Sequence, residues 1–473
     1  MSGQQAKASL ARTMGGLGAL LITLSGLSPS IGVFVVGSDV LRQAGSATWL
    51  CFAAAALLGA VIANVYAELA AAFPETGGEY TIVGRVLGPA FGFAMLGLNL
   101  LTFSIGPALT ALGVAAYLGA LIPGLPAVPT AMVLVVLCVG ISVLNIRVNA
   151  WVTGAFLAVE LISLSAVAWL GFSHARRGLA PLLLHPQLLT GAGHMAPASL
   201  ASLGIGAAAA IYAFDGYGSV VYLGEEVHDA PRRMAKVVFW ALGLATAFML
   251  IPMLAVLMGA PDLRALMADP APLQGFIRTI GGEPLTRAMS LGVALALFNA
   301  MIAIALMGGR QLYASGRDGA WPARVSDAFA RLHPRFNSPW LATLTLGTTS
   351  VLWCLVRQPV LLMILGDGTA AIYGCMCLAA LKGRGGASAH AAYRMPAFPW
   401  LPWLAFAGLA AVAVADLFDA DSRKGLAASA ITIALSAGYY LLVLKPRRSW
   451  GHRGPGAVVS NPAITINSDS ASV

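Results

Sequence analysis

Two carboxyl groups stand inside stretches whose other residues suit lipid, and each needs a chemical reason to be there. Asp215 lies in Ala213-Phe214-Asp215-Gly216-Tyr217-Gly218-Ser219, within the apolar segment 197–224. An ionised side chain at membrane depth costs about 2.5 to 3.5 kcal/mol on insertion scales, so something must compensate it. A bound ammonium group is one candidate, with carbonyls freed near Tyr212 and Phe214 as further acceptors. A cap on the helical stretch that follows is a second, because Asp accepts hydrogen bonds from exposed N–H groups, and a proton is a third. Phe214 and Tyr217 flank the carboxylate, where they gate a site, offer ring faces to a cation, or simply pack. Glu160 sits in the segment 151–172, and its neighbours at helical spacing are Thr153, Phe156, Ser163 and Val167. That stripe is more polar than the rest of the segment and turns toward protein. A carboxyl there suits either proton uptake and release or a protonated side chain bonded to a neighbouring helix.

The elements that position these groups follow from composition. The chain has 473 residues, 58% apolar and 10% charged, with a mean hydropathy of +0.81. A soluble domain is about 45 to 50% apolar and a quarter charged, so lipid is the solvent for most of these side chains. The net charge of +9 is then a property of loops, and no nucleic acid is expected. The seven histidines, at 174, 185, 194, 228, 333, 390 and 452, fall outside the apolar runs, which argues against an intramembrane metal or enzymatic centre. Cys51, Cys138, Cys354, Cys375 and Cys377 lie inside apolar runs as small hydrophobes, and no disulfide framework, cofactor or nucleotide loop is expected.

Crossing about 30 Å of hydrocarbon takes roughly 20 residues of helix. Twelve segments qualify, at 14–42, 46–73, 89–121, 126–144, 151–172, 197–224, 234–259, 285–313, 339–357, 359–381, 399–416 and 426–445. Residues 1–13 precede them and 446–473 read as an unstructured tail. Placing both termini in the cytoplasm puts 19 of the 28 Lys and Arg on that side, as the positive-inside rule requires. The expected location is the plasma (inner) membrane, as a multi-pass protein. The first segment is interrupted by Ser25-Gly26-Leu27-Ser28-Pro29-Ser30-Ile31-Gly32, and the sixth by the stretch around Asp215. Broken helices five spans apart point to two inverted halves with a solute site at the breaks; two kinked helices packed through small residues are the alternative.

Four motifs then carry a family resemblance. They are Tyr66-Ala67-Glu68-Leu69 with Phe73-Pro74-Glu75-Thr76-Gly77-Gly78-Glu79-Tyr80 and Arg85, and Tyr222-Leu223-Gly224-Glu225-Glu226 with Pro231-Arg232-Arg233. The others are Arg310-Gln311-Leu312-Tyr313-Ala314 with Gly316-Arg317-Asp318-Gly319, Pro334-Arg335 and Asn337-Ser338-Pro339, and Asn145-Ile146-Arg147. Across 14–445 the sequence resembles the amino acid, polyamine and organocation (APC) transporter superfamily. The resemblance implies an all-α membrane protein of twelve transmembrane helices. They form a LeuT-type 5+5 inverted repeat (14–172 and 197–381) with broken helices 1 and 6, plus two C-terminal helices (399–445). It implies a secondary active transporter of an amino acid working by alternating access, coupled to protons or run as an exchanger. The alternatives are a carrier of a carboxylate-free amine of the ethanolamine or polyamine type, and a receptor that keeps the fold without transport.

The substrate site is expected at Ser28, Ser30, Ile31, Gly32, Tyr212, Phe214, Asp215, Gly216 and Tyr217. The family's glycine, small residue, glycine in the first break reads Ser30-Ile31-Gly32 here. Amides from Ile31 to Val33 remain available to an anionic group, since a helix N-terminus is positive. Glu160 stands near a lysine found in proton-coupled members, which implies a proton-coupling role. Sodium coupling is disfavoured, because Asn299 is the only polar side chain between Leu291 and Gly309. In the third segment Asn99, Thr102, Gly106, Thr110, Gly113 and Tyr117 form a small or polar stripe that lines a pathway or packs helices. Asp367, between Gly366 and Gly368, is expected to cap a half-helix in the tenth segment. Glu68, Glu75, Glu79, Arg85, Glu225, Glu226, Arg232, Arg310 and Arg317 gather at inner helix ends as a gating network or as solvated loop charges.

Overall fold

The computed structural model describes residues 10, 12–144, 146–191, 193–418, 422–447 and 450–451. The expected tail from residue 452 onward, most of the N-terminal segment and Asn145 lie outside the described residues. What is described is mostly helical, because apolar surroundings leave the backbone no partner but itself. Seven helices among the described residues are long and apolar enough to cross a membrane, and three shorter apolar helices accompany them.

The first apolar stretch is broken. Helix α1 (Gly16–Leu27) stops at Ser28, a wider π-type turn spans Ile31–Val36, and α2 (Gly37–Ala44) continues. Then follow α3 (Thr48–Ala72), the short α4 (Glu79–Val86), α5 (Pro89–Leu121), α6 (Ala127–Ser142) and α7 (Ile146–Ser173). A small antiparallel hairpin, β1 (Gln187–Leu189) and β2 (Met195–Pro197), leads into the second half. There α8 (Leu200–Ala213) gives way to turns and a 3₁₀ stretch at Ser219–Leu223 before α9 (Ala230–Gly259). The long helices that follow are α10 (Pro272–Arg317), α11 (Trp340–Trp353), α12 (Gln358–Gly383), α13 (Trp400–Asp416) and α14 (Ser422–Tyr439). Gly282, at φ 72°, interrupts α10, so its apolar part begins near residue 283.

One expectation fails. Helix α12 runs without interruption through Gly366-Asp367-Gly368, so no half-helix starts there for Asp367 to cap. A helical glycine costs only about 1 kcal/mol against alanine, less than the several kcal/mol of leaving backbone groups unpaired in hydrocarbon.

The packing centre is the contact of α5 with α10, flanked by α9 against α3 and α7. The end of the bundle where the chain begins, called basal here, is sealed by polar pairs. Arg310 in α10 grips both oxygens of Glu226, with Nη2 to Oε1 at 3.0 Å, and both side chains are 1 to 2% exposed. Arg317 donates to both oxygens of Glu225 at 2.8 Å, and Arg85 pairs with Glu75 at 2.6 Å. The N-terminal strand of chain adds to the seal: the amides of Thr13 and Met14 both donate to the Glu226 carbonyl, and His228 N–H donates to the Met14 carbonyl. Glu68 joins a different pair, accepting from Arg384 at 3.2 Å and from the Met395 amide at 2.7 Å. That contact ties the connection after α12 to the end of α3, and Tyr393 O–H to Asn64 at 2.6 Å reinforces it.

Candidate functional site

Each break is set by local chemistry. Pro29 lacks an N–H, and Ser28 adopts φ 47°, a left-handed conformation that a non-glycine residue holds only when its surroundings enforce it. Glu160, from α7, supplies that enforcement. Its Oε1 accepts from Ser28 Oγ–H at 2.8 Å and from the Ser30 amide at 2.7 Å. Glu160 is fully buried, and its Oε2 has no partner among the described residues. The Ile31 and Gly32 amides donate to the Ser28 carbonyl at 3.0 and 3.4 Å. The first donors of the second half of this helix are therefore all committed within the protein.

The second break meets the first. Gly216 sits at φ 114° and presses against Leu27, where an added Cβ would lie 3.0 Å from the Leu27 Cα. Only glycine fits both the conformation and the approach. Beside it Asp215 is half-buried and held by α12: Tyr373 O–H donates to Oδ1 at 2.6 Å and Thr369 O–H to Oδ2 at 3.2 Å. Phe214 turns away to pack edge-on against Phe52 at 6.1 Å. Tyr217 packs against the rings of Tyr66 and Tyr373.

The two breaks open onto a cavity of about 130 Å³. Of the expected site residues, Ile31, Tyr212, Asp215 and Gly216 line it. Ser28, Ser30 and Gly32 lie behind it with Glu160, and Phe214 and Tyr217 pack beside it. Thr102, Gly106, Thr110 and Gly113 of the α5 stripe also face the cavity, so that stripe lines space. Three polar lining residues had no mark in the sequence: Thr369 and Tyr373, one helical turn apart on α12, and Gln358 at its start. Their spacing was readable, but nothing distinguished it from ordinary packing in an apolar span. Glu79 also lines the cavity, where the sequence grouped it with the mouth charges. No Lys, Arg or His among the described residues lines it. Chemically this is a compact space with carboxylate and hydroxyl acceptors and no fixed positive charge among the described residues, suited to a small solute that brings its own.

The chain matches the family model described as amino acid permease over residues 14–438. It is similar to an uncharacterized transporter of Mycobacterium tuberculosis, 29% identical over 339 residues that cover 72% of each chain. The methylthioribose transporter of Bacillus subtilis is 25% identical over 378 residues, 73% of this chain and 75% of that one. Human cationic amino acid transporter 4 is 26% identical over 389 residues, 77% of this chain and 58% of that one.

Proposed function

We propose a transport function from a plain premise: the chain belongs to the amino acid permease family. It is a membrane transporter of a small molecule, and the finer reading is that it moves an amino acid across the plasma membrane by alternating access. In this reading the twelve apolar segments span the bilayer as two inverted five-helix repeats with two further helices, both termini are cytoplasmic, and the basal seal is the closed inner gate. The observation that carries it is Asp215, a carboxylate on an unwound stretch that faces a cavity at the meeting of two helix breaks.

The substrate ammonium sits on Asp215. Tyr373 and Thr369 take one bond on each oxygen, and a carboxylate has about four lone-pair sites, so acceptor capacity is left for the ammonium. Glu160 is the coupling carboxyl. While ionised it holds Ser28 and Ser30 through Oε1 with the strength of a charged acceptor; a proton on the unpartnered Oε2 leaves Oε1 a neutral, weaker acceptor, from which an anionic group competes more easily for the Ser30 amide. Proton coupling or exchange follows, with the bilayer and the solute as the other partners.

One observation favours a second reading. In this conformation the amides of Ser30, Ile31 and Gly32 already have acceptors, so a substrate carboxylate finds none of these three free. A carboxylate-free amine needs none. The test is thermal stabilisation of the purified protein by a panel of amino acids and simple amines at one acidic and one neutral pH, since a ligand of the folded state alone raises its apparent stability. Stabilisation by amino acids, stronger at acidic pH, supports the first reading, and stabilisation by amines alone supports the second. A protein stabilised by neither contradicts both.

A further inference from the structure

We infer that Glu79 is a proton-binding residue of the cavity floor, through which the basal gate reads whether the cavity holds a proton. The inference rests on the proton-coupled reading above and adds a site to it. Glu79 is the first residue of α4, 4% exposed, and it faces the same cavity as Asp215.

Its partners suit both of its charge states. As an anion it is served by donors: Tyr66 O–H reaches Oε1 at 3.0 Å, and Asn99 Nδ2 reaches Oε2 at 3.2 Å. The same Asn99 nitrogen lies 3.3 Å from Tyr222 O. Asn99 is fully buried, and its Oδ1 has no partner among the described residues. A side-chain amide carries a donor and an acceptor on opposite sides, so a half-turn of Asn99 presents Oδ1 to Oε2. The amide then accepts from a protonated Glu79 where it had donated to the ionised one. A carboxylate kept only for structure needs donors alone, and a stranded acceptor beside it would be a cost without use.

The groups that face Glu79 set the sign. They are Tyr66 from α3, Asn99 from α5, Tyr222 from the 219–223 stretch, and Asp215 across the cavity; none is cationic. Burial pushes the Glu79 carboxyl up to about 7, with hydrogen bonds from Tyr222 and Tyr66 opposing and Asp215 adding to the rise. Glu79 therefore holds its proton below about pH 7 and releases it above. Because this value lies above the ordinary 4.5, protonation favours the folded form, and that contribution is lost as pH rises through about 7.

The link to the gate is covalent chain. Three residues before Glu79 the Thr76 amide donates to Glu225 Oε1 at 3.1 Å, the carboxylate held by Arg317. One residue after it Tyr80 O–H donates to Asp318 Oδ2 at 2.9 Å. Tyr222, on the other side of Glu79, is three residues from Glu225. A shift of Glu79 on protonation thus pulls on both sides of the basal seal. The proton enters from cavity water, rests on the carboxylate and leaves to the basal side when the seal opens, with no other bond made or broken.

The test is infrared titration of the carboxyl C=O band of the full-length protein, wild type against Glu79→Gln and Glu160→Gln. The expected result is protonated-carboxyl absorption that grows as pH falls through about 7, with one component missing in Glu79→Gln that is retained in Glu160→Gln. Tyr66→Phe, which removes one donor to the anion, moves the midpoint to higher pH and serves if Glu79→Gln does not fold. The gate is read by maleimide labelling of Ser315→Cys at the buried basal end, each rate divided by that of a small free thiol at the same pH to remove the thiol's own ionisation: the ratio varies with pH while Glu79 is present and is flat when Glu79→Gln is added. A band unchanged in Glu79→Gln, or an unmoved midpoint in Tyr66→Phe, overturns the inference while leaving transport standing. A wild type that carries no solute at all overturns the transport reading and the coupling role with it, whatever the titration shows.

Discussion

Asp215→Asn is expected to abolish ligand stabilisation and uptake while leaving the fold intact. The substitution keeps the shape and one acceptor oxygen, with the hydroxyl that faces the new NH2 turning to accept from it, but removes the charge that an ammonium needs. Truncating one partner of a buried, hydrogen-bonded charge pair costs about 2 to 5 kcal/mol, which is roughly a thirty-fold to several-thousand-fold rise in Kd. Thr369→Val removes only one of the carboxylate's donors and is expected to weaken binding by no more than about 1.5 to 3 kcal/mol. The measurement is the concentration of stabilising ligand needed for a fixed rise in Tm, compared across the three proteins. If Asp215→Asn binds as wild type does, Asp215 is a structural acceptor for α12 and the site lies elsewhere in the cavity. The control matters because Asp215 also fastens the 214–218 turns to Tyr373 and Thr369. A purely structural role would lower Tm without ligand and leave the ligand response unchanged.

The largest effect on stability is expected at the basal seal. Arg310→Ala leaves Glu226 buried at 2% exposure with no counter-charge, and breaking a buried ion pair from one side costs about 3 to 5 kcal/mol. Glu226→Gln strands the guanidinium in the same way. The double change Arg310→Met with Glu226→Leu removes both charges and is expected to recover most of the loss, since a buried pair is often no more stable than an apolar pair of similar volume. The three proteins are compared by thermal unfolding in one detergent. Single variants that lose less than about 1 kcal/mol, the range of surface pairs, would mean that water reaches the pair and that it is no seal. The same carbonyl of Glu226 holds the amides of Thr13 and Met14, so loosening this pair also loosens the N-terminal strand of chain.

Much of this was legible in sequence because membranes make backbone disruption expensive. Ser28-Pro29 and Phe214-Asp215-Gly216 sat where an uninterrupted helix was otherwise favoured, and the structure unwinds at both. The polar stripe of α7 likewise placed Glu160 toward protein. Its partner was not legible, because a bond from residue 160 to residues 28 and 30 depends on how distant helices pack. For the same reason Arg384, on a loop, was not matched with Glu68, nor Thr369 and Tyr373 with Asp215. Glu79 was misplaced because a charge at a helix end reads as solvated, whereas α4 folds back and turns it onto the cavity. At Gly366-Asp367-Gly368 composition suggested a break, but the backbone keeps its helix.

The central claim is that solute passes through this cavity bound to Asp215. Counterflow tests it most directly: purified protein in liposomes preloaded with an unlabelled solute that stabilises it, with trace labelled solute added outside. The account predicts transient accumulation of label in wild type, without ATP, and none in Asp215→Asn. Label that fails to accumulate in wild type with a ligand that demonstrably binds would contradict it, and would leave a binding protein on a transporter fold.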